Sequence, residues 1–141
     1  MKLEHINLVV QDMETTLAFY QAAFPHWRIR AQGQADWYGV QRNWVHFGDD
    51  YQFLTFNDNG TGESRDIKSN QLGVAHFAYE IQNVEAVIHR LRDAGFQESH
   101  RGRENPHRKN VYFIDPSGIE LEFVEYFSDL PEERNNSEEP V

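Results

Sequence analysis

The feature that most constrains this chain is an internal repeat. The segment HINLVVQDMETTLAFYQAAF (5–24) aligns without a gap over HFAYEIQNVEAVIHRLRDAG (76–95). The identical pairs include His5 with His76, Gln11 with Gln82, and Glu14 with Glu85. A unit written twice predicts two equivalent modules that bury their apolar faces together.

Each copy has the pattern of a strand that leads into a helix. The apolar strand runs into Asp12 in the first copy and Asn83 in the second, and either side chain can cap a starting helix. Apolar residues then recur at helical spacing. Three strand-like stretches follow each helix, namely WRIRA, NWVHFG and YQFLTF in the first copy and FQESH, NVYFID and IELEFVEYF in the second. Each half therefore reads β-α-β-β-β, and the predicted fold class is α+β.

These patterns predict a single domain over 1–127. It consists of two βαβββ modules at about 3–58 and 73–127, joined by a polar linker at 59–72. With 141 residues, of which 39% are hydrophobic, the chain is long enough for one core. Residues 128–141 carry five acidic side chains against one arginine and few apolar ones, so we expect a disordered or loosely attached acidic tail.

Composition narrows the classes of partner. A formal charge of −10 argues against nucleic acid, because phosphate binding needs a basic surface. No apolar run approaches the roughly 20 residues that span a bilayer, so we expect no membrane partner. The chain has no cysteine, which removes disulfides, thiol nucleophiles and zinc–thiolate sites. The absence of cysteine is compatible with a reducing cytoplasm, and we expect a cytoplasmic protein.

The repeated histidines stand out within otherwise apolar strands. Side chains alternate along a strand, which places His5 and His76 on the sheet face that points away from each helix. A lone histidine there is usually a core residue, but two equivalent ones would meet if the modules pair about a pseudo-twofold axis. A carboxylate would complete a metal-binding triad, and the last strand offers Glu120 and Glu122 on one face. The alternative is that both glutamates are merely solvated.

Matching the terminal hairpins of the two modules extends the comparison. It places Gln52 opposite Glu120 and Leu54 opposite Glu122, and it makes Trp44 the counterpart of Tyr112. The neighbours of Trp44 on the same face are Arg42 and His46. These side chains are candidate substrate contacts, although Trp44 and Tyr112 would equally serve as packing aromatics.

The chain resembles the vicinal oxygen chelate superfamily, which includes glyoxalase I, extradiol dioxygenases, fosfomycin-resistance proteins and bleomycin-binding proteins. The resemblance covers about residues 3–127, and its most specific part is the D-P-x-G-x-x-x-E hairpin at 115–122. It implies a curved mixed sheet around a metal cleft. It further implies that Glu122 joins His5 and His76 in holding a divalent Fe, Mn, Zn or Ni ion. A homodimer is the assembly that the resemblance implies.

Departures from the family pattern bear on the reaction. Glyoxalase I enzymes place a fourth ligand where this chain has Leu54, which disfavours their usual chemistry and leaves Leu54 beside a more open substrate position. Extradiol dioxygenases use the same His, His, Glu set, but their additional histidine lies further upstream than His107. Fosfomycin-resistance proteins carry a cation cluster. Here a basic residue after the last strand is missing from the pattern, although Arg101, Arg103, Arg108 and Lys109 precede that strand.

Our first interpretation is therefore a metalloenzyme, either a glyoxalase-like lyase or isomerase or an extradiol-type dioxygenase. Its small substrate would bind the metal through two neighbouring oxygens. Tyr112 matches a cleft tyrosine of the family and would act with Glu122 in catalysis. The substrate contacts would come from Trp44, His46, Arg42 and Leu54. The alternatives are a metal-free sequestering protein of the bleomycin-resistance type and a fosfomycin-type thiol transferase.

Overall fold

A computed structural model describes residues 1–137 and divides the chain into two compact units. The first unit contains 1–64 together with the short turn 115–118. The second contains 65–114 and the chain from 119 onward. Among residues 1–137, no helix is long and apolar enough to cross a membrane.

The first unit forms a four-stranded mixed sheet with the strand order β1-β4-β3-β2. Its elements are β1 (His5–Val9), α1 (Met13–Ala23), β2 (Arg28–Trp37), β3 (Val40–Gly48) and β4 (Phe53–Asn57). Strand β1 runs parallel to β4, and the other pairs are antiparallel. Helix α1 begins where the Asp12 carboxylate accepts a hydrogen bond from the Thr15 amide at 2.8 Å.

The second unit repeats this arrangement in the order β5-β8-β7-β6. Its elements are β5 (Phe77–Glu80), α2 (Val84–Asp93), β6 (His100–Arg101), β7 (Arg108–Ile114), β8 (Glu120–Tyr126) and α3 (Pro131–Arg134). Strand β5 is parallel to β8, as β1 is to β4. Asn83 caps α2 through the Ala86 amide at 3.0 Å, the same role that Asp12 has in α1. The predicted α+β class with two βαβββ units is confirmed.

The core of each unit lies on one face of its sheet. Leu54 and Phe56 in β4 are fully buried, as are Leu121 and Phe123 in β8. The alternate positions of β8 bear glutamates, because the period of a strand is two. The functional face is therefore the face opposite this core in each unit.

The turn 115–118 belongs to the first unit although it lies between β7 and β8 in sequence. The Tyr20 hydroxyl donates a hydrogen bond to Asp115 Oδ2 at 2.9 Å, and both groups are buried. The Ser117 hydroxyl accepts one from the Gln11 amide at 3.0 Å. These bonds fix the turn from which β8 starts.

Two segments differ from expectation. Strand β6 has only two residues instead of the five expected, and its short pairing covers His100 and Arg101 alone. Within the tail, Pro131–Arg134 forms helix α3, and Arg134 makes an ion pair with Glu80 at 2.7 Å. We expected a disordered or loosely attached tail over 128–141, whereas residues 131–134 are helical and Arg134 contacts the sheet. Residues 138–141 lie outside the described part of the chain.

Candidate metal and substrate site

The second unit brings one histidine and two glutamates together at the edge of its sheet. His76 Nε2 lies 3.1 Å from Glu122 Oε2, and His76 Nδ1 lies 3.6 Å from Glu120 Oε1. Both glutamate side chains are largely buried, whereas that of His76 is 36% exposed. Asn110 Nδ2 donates a hydrogen bond to the other Glu122 oxygen, Oε1, at 2.9 Å. Glu122 is therefore held by one oxygen and faces an imidazole with the other, as expected of a metal ligand with an orienting partner.

Tyr112 lies directly across the β7–β8 ladder from Glu122. Its ring stacks on His100 with 4.2 Å between centroids and meets the His76 ring edge-on at 5.4 Å. Burial, followed by the charges of Glu122 and Glu120, raises the pKa of Tyr112 above its usual 10. The phenol thus keeps its proton at neutral pH and serves as a hydrogen-bond donor rather than as a base.

The corresponding face of the first unit is a row of rings. His5 stacks on Phe53 with 4.7 Å between centroids, and Phe53 in turn lies 4.8 Å from His46. His46 continues to Trp44 at 5.1 Å, and the Arg30 guanidinium lies 4.3 Å above the Phe53 ring. The side chain of His5 remains 44% exposed, and its Nδ1 is 2.8 Å from Glu4 Oε1. The imidazole of His5 is therefore oriented and still accessible.

The environment of His46 acts on its protonation. Burial lowers the pKa of His46 below its usual 6.5, and the charges of Arg30 and His5 lower it further. His46 is therefore neutral at physiological pH and can accept a hydrogen bond through one ring nitrogen.

Strand β2 leaves room for the large side chains of β3. Gly33 pairs with Trp44, and a Cβ atom at Gly33 would lie 2.8 Å from the indole. The Arg42 guanidinium lies 4.4 Å over the Trp37 ring. Its Nε and Nη1 are buried and, within residues 1–137, have no hydrogen-bond partner. One face of β3 thus carries Trp44, His46 and Arg42, as the sequence predicts.

Leu54, the remaining predicted substrate contact, lies elsewhere. In the structure Ile6 pairs with Leu54, just as Phe77 pairs with Leu121. Leu54 is thus the counterpart of the core residue Leu121 and is fully buried. The sequence-based hairpin match was wrong by one residue, and in a strand such a shift moves a side chain to the opposite face.

The corrected register changes two further equivalences. Thr55, not Leu54, is the counterpart of Glu122, because Thr55 pairs with His46 as Glu122 pairs with Tyr112. It follows that His46, not Trp44, is the counterpart of Tyr112. The position of the missing fourth ligand therefore bears a buried threonine.

A basic residue reaches the functional face from beyond the last strand. Arg134 in α3 donates two hydrogen bonds to the Glu80 carboxylate and lies 3.8 Å over the Tyr126 ring. Local spacing in the sequence does not predict this contact, because the chain returns to the sheet through α3. Asn110 was also missed, although its position two residues before Tyr112 places both on one face.

The predicted metal ligands are brought together in part. His76 and Glu122 adjoin one another in the second unit, whereas His5 belongs to the first. Over residues 1–137, no group of three or more His, Asp or Glu side chains is arranged to hold a metal ion.

Comparisons with known proteins identify the family. Residues 2–123 match the model of the Glyoxalase/Bleomycin resistance protein/Dioxygenase superfamily, and the chain belongs to this superfamily. The predicted resemblance is thereby confirmed.

Individual relatives span most of the chain. The metallothiol transferase FosB of Bacillus licheniformis is 26% identical over 126 residues, which cover 85% of this chain and 72% of that protein. A glyoxalase family protein from Enterococcus faecalis has a TM-score of 0.71 at 19% identity, covering 88% of this chain and 97% of that one. The fosfomycin resistance protein FosX from Listeria monocytogenes, solved with Mn(II) and sulfate, has a TM-score of 0.65 at 22% identity, covering 94% and 96%.

Proposed function

We propose that this protein is a divalent-metal-dependent enzyme that acts on a small molecule with two neighbouring oxygen atoms. The metal ligands in this proposal are His5, His76 and Glu122. The observation that carries it is the 3.1 Å approach of His76 to a Glu122 carboxylate whose second oxygen is held by Asn110. A glutamate that was merely solvated would be neither buried nor oriented in this way.

The donor set fits such an ion. Imidazole nitrogens and a carboxylate suit Fe, Mn, Zn or Ni, and two neutral histidines with one glutamate leave a net positive charge that favours an anionic ligand. When bound, the metal supplies a Lewis acid that polarises the substrate oxygens. Glu122 would hold the ion, with Asn110 fixing its orientation. Tyr112 would donate a hydrogen bond to the developing oxyanion.

The remaining residues have supporting roles in this proposal. Trp44, His46 and Arg42 would contact the substrate, since all three share the functional face of the first unit. We propose a cytoplasmic homodimer, in which His5 completes the ligand set from the same chain or from a second copy. The domain would span 1–127, as the sequence predicts.

The residue at the fourth ligand position narrows the types of reaction in this proposal. A threonine hydroxyl at Thr55 is a poor ligand and a poor base compared with a glutamate, which disfavours glyoxalase I chemistry in its usual form. A ring-cleaving dioxygenase, or a lyase or isomerase that uses three protein ligands, is compatible with the face observed.

A fosfomycin-type thiol transferase is the second candidate. The 26% identity to FosB over most of the chain favours it, and Arg134, now paired with Glu80, would be a cation placed after the last strand. Residues Arg101, Arg103, Arg108 and Lys109 add positive charge around an open cavity of about 730 Å³. Such a setting favours a phosphonate or another compact anion.

Metal analysis of protein purified without chelator or affinity tag tests the first step. We expect close to one equivalent of divalent metal, or a clear rise in melting temperature when Mn²⁺ is added to metal-free protein. Less than about one tenth of an equivalent, with no rise in melting temperature, would contradict the enzyme and support a metal-free sequestering protein.

Activity assays on Mn²⁺-, Fe²⁺- and Zn²⁺-loaded protein then separate the branches. The substrates are fosfomycin with a thiol, catechols with oxygen, and methylglyoxal with glutathione. Turnover of one class that is lost in Glu122→Ala identifies the branch, because that variant lacks the proposed carboxylate ligand. Metal binding without turnover of any of the three would restrict the proposal to metal-assisted ligand binding.

A further inference from the structure

The chain after β8 returns to the functional face of the second unit. Residues 131–137, hereafter the strap, begin with helix α3 and end at the last described residue. Arg134 makes a two-pronged ion pair with Glu80, at 2.7 and 3.1 Å. The same guanidinium lies 3.8 Å over the ring of Tyr126. One side chain thus fastens the strap to both β5 and β8.

The attachment points lie on the same face as the proposed metal ligands. Glu80 is two residues from Ala78, which pairs with Glu122 across the β5–β8 ladder. Side chains two apart in a strand share a face, so Glu80 lies on the Glu122 side of the sheet. Tyr126 occupies the same side, since it is four residues beyond Glu122.

The end of the strap reaches the wall of a cavity. Arg108 Nη1 donates a hydrogen bond to the Asn136 carbonyl at 2.7 Å, and Ser137 lines an open cavity of about 500 Å³. Tyr112 and Asn110, the residues that neighbour Glu122, line this cavity as well. The end of the strap therefore shares a cavity wall with Tyr112 and Asn110, the neighbours of the proposed ligand Glu122.

Charge makes the strap a substitute for an anion. The cavity is lined by Arg101, Arg103 and Arg108 against a single glutamate, Glu104. The Asn136 carbonyl of the strap accepts a hydrogen bond from Arg108, and Glu133 lies 3.7 Å from His107. An anionic ligand would seek the same partners.

We propose that the strap is a tethered competitor of anionic ligands, which engages Arg108 at the wall of the basic cavity until such a ligand displaces it. The Arg134–Glu80 pair is suited to a reversible fastening, because Glu80 is more than half exposed and ion pairs of this kind are weak. The proposal concerns anion access and requires no metal, so it goes beyond the function proposed above.

Hydrogen exchange by mass spectrometry on the full chain, in EDTA, tests the fastening. The amides of Arg134 and Asn135 bond to the carbonyls of Leu130 and Pro131 within α3, so their exchange reports unfolding of α3, which the Arg134–Glu80 pair opposes while the strap is fastened. We expect Glu80→Gln and Arg134→Gln to speed this exchange about twofold to fivefold, in line with the loss of a weak ion pair. The control is Asp93→Asn, which removes an equal charge from an exposed pair with His89 and leaves the strap intact.

Inorganic phosphate then serves as the probe of competition. We expect saturating phosphate to speed hydrogen exchange of the strap amides in the parent protein. We also expect calorimetry to show that Glu80→Gln binds phosphate about two to five times more tightly than Asp93→Asn does. Slower or unchanged strap exchange with phosphate, or equal affinities in the two variants, would overturn the proposal. Metal content measured on the same preparations before EDTA is added reports separately on the proposed enzyme.

Discussion

The functional face of the first unit is a row of aromatic rings, whereas the equivalent face of the second unit carries carboxylates. At matching positions the first has Phe53 and Thr55, and the second has Glu120 and Glu122. The flanking histidines, His5 and His76, are the feature that both faces share. The two copies therefore share one backbone arrangement, while the buried carboxylates of this face lie in the second copy alone among residues 1–137.

The rings on the face of the first unit and the charges on that of the second indicate different roles. In the first unit His5 stacks on Phe53, and its one ion-pair partner in the described chain is the exposed Glu4. In the second unit His76 is held between two carboxylates. We infer that the rings of the first copy orient its histidine side chains. The carboxylates of the second copy would supply most of the negative charge that a bound metal requires.

The largest expected effect separates the two carboxylates of the second face. Glu122→Ala should weaken Mn²⁺ binding about a thousandfold, since a direct ligand counts for more than outer partners, which are worth about 10–100-fold. Glu120→Ala should weaken it by only about tenfold, as expected of such an outer partner. Calorimetric titration of metal-free protein measures both. Equal losses in the two variants would show that the choice of Glu122 is wrong.

The corrected register predicts that Leu54 and Leu121 are equivalent core residues. Each is fully buried, so Leu54→Ala and Leu121→Ala should each lower the free energy of unfolding by about 2–5 kcal/mol. Urea denaturation measures this directly. Truncating a side chain on the open face would lower the free energy of unfolding far less. A cost below about 1 kcal/mol for Leu54→Ala would therefore favour the original match of Leu54 with Glu122.

These two residues also show what the sequence could and could not predict. The repeat anchored by His5 and His76 predicts the fold class and the order of elements, because strand and helix periodicities are local properties. Register across the first hairpin is not local. Its shift by one residue moved Leu54 into the core and put Thr55 in its place. The contact of Arg134 with Glu80 was equally inaccessible, since it joins residues far apart in sequence.

A smaller effect compares the caps of the two helices. Asn83→Ala should lower the free energy of unfolding by about 1 kcal/mol across the pH range, because an amide does not titrate there. The hydrogen bonds from Thr15 lower the pKa of Asp12 below its usual 3.8. The stabilisation from Asp12 is therefore present above that value and is lost as pH falls through the lowered pKa.

Denaturation at pH 7 and pH 3 on Asp12→Ala and Asn83→Ala measures this contrast. The loss caused by Asp12→Ala should shrink at the lower pH, while that caused by Asn83→Ala should not. A loss that stays constant in both variants would mean that the Asp12 carboxylate does not act as a charged cap.

The smallest expected effects come from His46 and Tyr112, which occupy equivalent positions and titrate in opposite senses. The lowered pKa of His46 means that its stabilisation is present above pH 6.5 and is lost as pH falls below that value. The raised pKa of Tyr112 means that its stabilisation is present below pH 10 and is lost as pH rises beyond it. His46→Gln should therefore flatten the acid side of the stability profile and Tyr112→Phe the alkaline side, each by less than about 1 kcal/mol. Urea midpoints from pH 5 to pH 11 measure both, with the exposed His89→Gln as control. If His46→Gln changed the acid side of the stability profile no more than this control does, burial among the rings would not be what lowers the pKa of His46.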